Sequence, residues 1–173
     1  MNAAYWASQK SGDPHGPDKY AELQPESYPM LEAIEKLALN DPLMLDLGCN
    51  VGRHMKALMA RGYTHVKGMD ARDDGQEYVG TFEEWLPQQA DGAFDIIFTH
   101  GMTVELVPTT FPICAQLARL ASHAIVLCIQ ETGIPYPRDW KAEFENEGMT
   151  LTRYDKPIVP DSNASLFVFE KIP

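Results

Sequence analysis

Residues 45–54 read Leu-Asp-Leu-Gly-Cys-Asn-Val-Gly-Arg-His, and the change of period inside this stretch decides the fold. The run LMLDL (43–47) is apolar and strand-sized, which predicts a short buried strand. Gly48 allows a tight turn and Gly52 lets a helix begin close to the strand. From Gly52 to Arg61, Met55, Leu58 and Met59 share one face at helical spacing, and Gly62 stands as the C-terminal stop. A strand, a glycine turn and a helix in direct succession aim helix N–H groups at an anionic ligand group. A dinucleotide fingerprint requires glycine at positions 50 and 53, where the chain has Asn50 and Arg53. The Gly-Lys-Ser/Thr ending of a triphosphate loop is also absent.

On the C-terminal side the pattern keeps alternating. THVKGMD (64–70) and FDIIFTH (94–100) read as strands, and AIVLCIQ (124–130) as the most continuous apolar strand, suited to the centre of a sheet covered on both faces. A helix over about 110–121 carries Ile113, Leu117 and Leu120, with Pro112 in its first turn. Another over 137–147 sets Trp140 and Phe144 one turn apart and stops at Gly148. TLTRY (150–154) and SLFVFEK (165–171) follow with no helix between them, which predicts an antiparallel hairpin. Only seven residues, ARDDGQE, separate Asp70 from Tyr78. A parallel crossover needs about a dozen or more, so the second helix is expected to be lost and the third strand to be very short or absent. The sum is an α/β chain with a Rossmann-like, doubly wound, mostly parallel seven-strand sheet and a C-terminal antiparallel hairpin. Ligands of such sheets bind beyond the carboxyl ends of the strands.

On the N-terminal side, Leu31, Ile34, Leu37 and Ala38 recur at helical spacing. Residues 1–28 hold Pro14, Pro17 and Pro25 with Gly12 and Gly16, and read as an irregular arm ahead of a single domain over 29–173. The arm carries Tyr5, Trp6, Tyr20 and Tyr28, more aromatic surface than a solvated tail has, so it is expected to pack on the domain as a lid over the carboxyl edge, the alternative being an arm packed on the back of the sheet or holding a dimer together.

With 173 residues, 45% hydrophobic and 23% charged, the chain is globular and large enough to fold without a staple. Twenty-five acidic against 14 basic side chains give a net charge of −11, which repels phosphate backbones and anionic membranes. Cys49, Cys114 and Cys128 match no metal-ligand or CxxC spacing, and no stretch is long and apolar enough to span a membrane. A reduced, cytoplasmic protein with no metal, nucleic-acid or membrane partner is expected.

LDLGCNVGRH resembles the first motif of the class I S-adenosylmethionine-dependent methyltransferases, an acidic residue followed by glycines at alternate positions. GMD with Asp70, GTFEEWLP and FDIIFTHGM resemble the family's second-strand, adenine-loop and fourth-strand motifs in register, so the resemblance covers roughly residues 30–171. Tyr5, Trp6, Tyr20 and Pro137-Arg138-Asp139-Trp140 are similar to features of a subset of these enzymes. The resemblance implies that Gly48, Cys49, Asn50 and Gly52 take the amino-acid end of S-adenosylmethionine by backbone contacts, with Asp46 near its ammonium. Asp70 and Ala71 would meet the ribose, Thr81 and Phe82 the adenine, and Thr99 and His100 the methionine side.

Methyl transfer asks mainly for alignment, but an oxygen or nitrogen acceptor must lose a proton. His100, at the end of the fourth strand, is the candidate base, with Glu131 and Glu105 in reserve. Tyr5, Trp6, Tyr20, Glu131 and Arg138 are the candidate acceptor contacts. Asp95 begins its strand and reads as structural, and His15, His54, His65 and His123 are given no chemistry. There is no Asn/Asp-Pro-Pro-Tyr/Phe after the fourth strand and no Pro-Cys pair, which sets aside adenine and glutamine amino groups and cytosine C5 as acceptors. The expected activity is methylation of a small molecule at oxygen or nitrogen by a monomer or homodimer. A NAD-type oxidoreductase and a non-catalytic cofactor-binding module that needs a partner are the alternatives.

Overall fold

The computed structural model describes residues 21–73 and 75–172. At its centre, β1 (Met44–Leu47) is buried at every residue and lies parallel to β2 (Val66–Asp70) on one side and β4 (Phe94–His100) on the other. β3 (Tyr78–Val79) extends the β2 edge by two residues, and β5 (Ala121–Gln130) runs parallel to β4. β7 (Ala164–Glu170) pairs antiparallel with β5, and β6 (Thr150–Asp155) pairs antiparallel with β7 at the far edge. The order β3-β2-β1-β4-β5-β7-β6 is the expected doubly wound sheet with a terminal hairpin. No helix stands between β2 and β3 among the described residues, as the short crossover requires.

Each strand sends alternate side chains to opposite layers. One layer packs α1 (Ser27–Lys36), through Met30, Leu31 and Ile34, and α2 (Arg53–Ala60), through Leu58, on Met44, Ile96, Phe98, Val126 and Val168. The other packs α4 (Ile113–Leu120) and α5 (Trp140–Asn146) on Leu45, Leu47, Ile97, Leu127, Phe167 and Phe169. α3 (Phe82–Trp85) closes this second layer beside Tyr78 and Phe94, with its Trp85 ring 4.8 Å from that of Tyr78.

Several boundaries depart from the sequence reading. α1 begins at Ser27, so Ser27 and Tyr28 belong to it and not to an arm ending at residue 28. Pro29 sits in its first turn, where the missing N–H costs nothing. Met59 is 47% exposed; the buried side of α2 is His54 and Leu58 with Met55 half-covered. α5 starts at Trp140, three residues after Pro137, because Asp139 caps it by accepting the Ala142 N–H at 3.0 Å. Pro112 delays α4 to Ile113, and β5 starts at Ala121 immediately after that helix, where it pairs with Phe94. Among the described residues no helix is long and apolar enough to cross a membrane.

Candidate functional site

The turn after β1 holds three left-handed residues at alternate positions, Gly48 (φ +77°), Asn50 (φ +52°) and Gly52 (φ +72°). Gly48 is required twice over, since a Cβ there would also collide with the Thr103 methyl group. The amide hydrogens of the turn are spent within the protein. Those of Gly48 and Cys49 bond the Met69 carbonyl, that of Val51 bonds Asn50 Oδ1 at 2.7 Å, and that of Gly52 bonds the Cys49 carbonyl. The Asn50 N–H goes to Asp70 Oδ2 at 2.9 Å, while Asp70 Oδ1 accepts the Arg72 N–H at 3.0 Å. Asp70 therefore clamps the turn to the end of β2. Each of its oxygens accepts one of these N–H groups and keeps lone-pair capacity toward the carboxyl edge.

Around this turn the expected contacts divide. Cys49 buries its sulfur against Gly68 and meets the edge only through its backbone. Ala71 follows Asp70, half-buried, at the mouth of the β2 edge. The Phe82 ring comes within 3.9 Å of where a Gly48 Cβ would stand, so it borders the turn. Thr81 instead spends its hydroxyl as the cap of α3, accepting the Glu84 N–H at 3.2 Å and donating to Glu84 Oε2 at 3.0 Å. Thr99 is fully buried and donates to the Leu47 carbonyl at 2.7 Å, with Thr103 as its other partner; it ties β4 to β1 and opens on no site. Glu105, also fully buried, accepts the Thr103 and Gln130 N–H groups at 2.9 and 3.0 Å, stitching the loop after β4 to the end of β5. Burial pushes its carboxyl up to about 7. Asp95 joins strand starts, accepting from Leu43 N–H and Ser122 Oγ at 2.8 Å each, and is structural as expected.

Asp46 and His100 project to the α1–α2 layer, because they share the parity of Met44 and Phe98 along their strands. There they meet two residues that the sequence reading passed over. Ser27 Oγ lies 3.0 Å from His54 Nε2 and 3.5 Å from His100 Nε2, and His54 Nδ1 lies 3.9 Å from Asp46 Oδ2. The two imidazole rings are 4.8 Å apart. Arg53 Nη2 lies 3.4 Å from His100 Nδ1, while its Nη1 donates to the Glu22 carbonyl at 3.2 Å. Burial pushes Asp46 up to about 8 and His54 down to about 2, so the two face each other as neutral groups, not as an ion pair, near pH 7. Burial, helped by the Arg53 guanidinium, holds His100 down to about 4. Asp46, expected near a cofactor ammonium, has an enclosed carboxyl that faces His54.

Glu131 and Arg138 lie on the other flank of the carboxyl edge. With Trp140, Lys141, Tyr154 and Phe167 they line a cleft of about 420 Å³ between α5 and the β6–β7 hairpin. Burial alone would raise the Glu131 pKa, but hydrogen bonds from Ser165, Tyr154 and Lys156 hold it below the usual carboxylate range. The Arg138 guanidinium donates to the Val107, Pro108 and Phe111 carbonyls and pairs with Glu143 at 3.0 Å. Its Nε and the Trp140 indole nitrogen are buried without a partner. Tyr5, Trp6 and Tyr20 lie outside the described residues.

The sheet order, with a glycine turn at its switch point, gives the chain a fold that recurs in solved structures. The chain has the class I methyltransferase fold. A TehB-like S-adenosylmethionine-dependent methyltransferase from Corynebacterium glutamicum is 20% identical with a TM-score of 0.66, over 83% of this chain and 88% of that one. The 1,6-didemethyltoxoflavin-N1-methyltransferase of Burkholderia thailandensis, with 1,6-didemethyltoxoflavin and S-adenosylhomocysteine bound, is 13% identical with a TM-score of 0.69, over 94% and 85%. Magnesium protoporphyrin IX methyltransferase from Synechocystis, with S-adenosylmethionine bound, is 13% identical with a TM-score of 0.67, over 99% and 98%. No protein-family model and no curated protein matches the sequence. Within the class I methyltransferase fold these two ligand-bound relatives act on different acceptors, so the acceptor follows from local side chains and not from the sheet.

Proposed function

We propose that the protein is an S-adenosylmethionine-dependent methyltransferase acting at oxygen or nitrogen of a small molecule. The observation that carries this reading is the Gly48–Gly52 turn clamped by Asp70, whose two oxygens retain capacity for a ribose diol. The residues present fit the cofactor. With its amide hydrogens spent inside, the turn offers carbonyl oxygen, the complement of an ammonium, while a carboxylate falls to the positive N-terminal end of α2 and to the Arg53 guanidinium. Phe82 is suited to one face of the adenine, and Thr81 contributes backbone only. When bound, S-adenosylmethionine supplies an electrophilic methyl group on a sulfonium. The same turn disfavours a NAD-type oxidoreductase, because Asn50 and Arg53 stand where a pyrophosphate needs glycine.

The cleft between α5 and the hairpin is the proposed acceptor pocket. Glu131 and Lys141 supply opposite charges, and Tyr154 and Phe167 supply flat apolar walls, with Arg138 and Trp140 at the base of the cleft. The net charge of −11 supports a small acceptor over a nucleic acid. Tyr5, Trp6 and Tyr20 are proposed to complete the pocket from the arm. The low pKa of His100 favours a second reading, a cofactor-binding module completed by a partner subunit.

One assay separates these readings. The purified chain, with its mass measured by light scattering, is offered methyl-labelled S-adenosylmethionine and a panel of aromatic hydroxyl and amine acids, with and without residues 1–20. Turnover by an isolated monomer, lost on truncation of a still-folded domain, supports the enzyme and the lid. Turnover unchanged by truncation refutes the lid. Cofactor binding without turnover favours the module.

A further inference from the structure

Arginine carries hydrogen-bond donors and no acceptor, so its contact with His100 sets a direction. With Arg53 Nη2 at 3.4 Å, His100 Nδ1 must present a lone pair, and a neutral ring then carries its proton on Nε2. That proton faces Ser27 Oγ at 3.5 Å. The Gln24 N–H also donates to Ser27 Oγ, at 3.2 Å, which uses the hydroxyl's second lone pair. Ser27 has one hydrogen left, and His54 Nε2 lies 3.0 Å away to accept it. His54 therefore holds its own proton on Nδ1, toward the enclosed carboxyl of Asp46. Ser27, fully buried, has every hydrogen-bonding site committed, and one guanidinium decides both tautomers. Among the described residues the charged groups around His100 are Arg53 on α2 and Glu26 just before α1, with neutral His54 stacked alongside.

We propose that Ser27 and His54 are positioning residues for His100, and that with Arg53 they hold it as the Nε2–H tautomer, leaving Nδ1 as the one atom through which it can take a proton. This rests on the proposed methyl transfer only for its chemical use. In that use the acceptor's O–H or N–H proton binds Nδ1 once Arg53 swings aside. The electron pair of the broken bond stays on the acceptor atom and would form its bond to the methyl group as the methyl–sulfur bond breaks and that pair leaves on the sulfur of S-adenosylhomocysteine, while the His100 Nε2–H stays hydrogen-bonded to Ser27. The relay also explains a sequence feature that the cofactor motif leaves unused, the Arg53-His54 pair at the start of α2.

Long-range proton–nitrogen NMR of the uniformly labelled full chain at pH 7, without cofactor, tests this directly. The wild type is expected to show two neutral rings, His100 protonated on Nε2 and His54 on Nδ1. Ser27→Ala removes only the second link, so His54 is expected to become a tautomer mixture while His100 keeps its form. Arg53→Gln, whose amide can donate or accept, is expected to relax both rings to mixtures. His100 protonated on Nδ1 in the wild type overturns the proposal, as does a His54 signal unmoved in both variants. Backbone spectra report folding, and if Ser27→Ala does not fold, Arg53→Gln decides. Because no cofactor is present, failure of S-adenosylmethionine to bind would overturn the proposed function and leave this result standing.

Discussion

Asp46 and His54 stand 3.9 Å apart, yet burial acts on them in opposite directions, raising the carboxyl to about 8 and lowering the imidazole to about 2. The consequence is a measurable pH dependence. Asp46 binds its proton more tightly folded than unfolded, so the stability linked to it is present below the unfolded pKa of 3.8 and is lost as pH rises toward 8. His54 and His100 work the other way, and their contribution is lost as pH falls below the unfolded value of 6.5. Above pH 6.5 the histidines are neutral in both states, and Asp46 acts with Glu105, which stops contributing above about 7. Unfolding free energy is expected to fall by about 1–2 kcal/mol between pH 6.5 and 8 from Asp46, at roughly 1.4 kcal/mol per bound proton per pH unit. Asp46→Asn should remove that slope, as read by urea unfolding at four pH values across the window. The position of Asp70 at a strand end 18 residues beyond Gly52 was legible in the sequence as that of a ribose ligand, though not its clamping of the turn through the Asn50 N–H. Ser27 was not, since a lone serine between two prolines carries no periodic signal. His54 had one: it takes a buried position on α2 that the reading gave to Met59.

Among the elements, α5 is held by a side chain that its own periodicity does not reveal. Arg138 reaches the Val107, Pro108 and Phe111 carbonyls with a guanidinium whose side chain is 3% exposed, so it fastens the loop before α4 to the start of α5. Arg138→Met should cost about 2–4 kcal/mol of stability, since it strands buried carbonyls and leaves Glu143 unpaired. Thermal unfolding measures this, and cofactor affinity should change little, because no Arg138 bond reaches the Gly48 turn. Strand identities were readable from apolar runs, and the two-residue β3 from a crossover too short for a helix. Boundaries were less so, because caps such as Asp139 and Thr81 act through single hydrogen bonds that a spacing rule does not contain. The same limit hid from the sequence reading that the Thr99 and Thr81 hydroxyls serve the fold.

For the molecule as a whole, the sheet separates two environments at one edge. The α1–α2 side carries the histidine network, the α4–α5 side carries the cleft, and the Gly48 turn stands between them on β1. A sequence shows which residues end each strand, but parity along the strand decides which environment each one enters, and that requires the register between Asp46 and Phe98. The central claim is that the turn and Asp70 form an S-adenosylmethionine site. Titration calorimetry of the full chain with S-adenosylmethionine, S-adenosylhomocysteine and NAD, repeated on Asp70→Ala, tests it most directly. The account predicts binding of both sulfur ligands, little or no binding of NAD, and a loss on Asp70→Ala on the order of 1–3 kcal/mol, or roughly 5- to 150-fold in affinity. Tight NAD binding without a response to S-adenosylmethionine, or equal affinity in the Asp70→Ala chain, would contradict it.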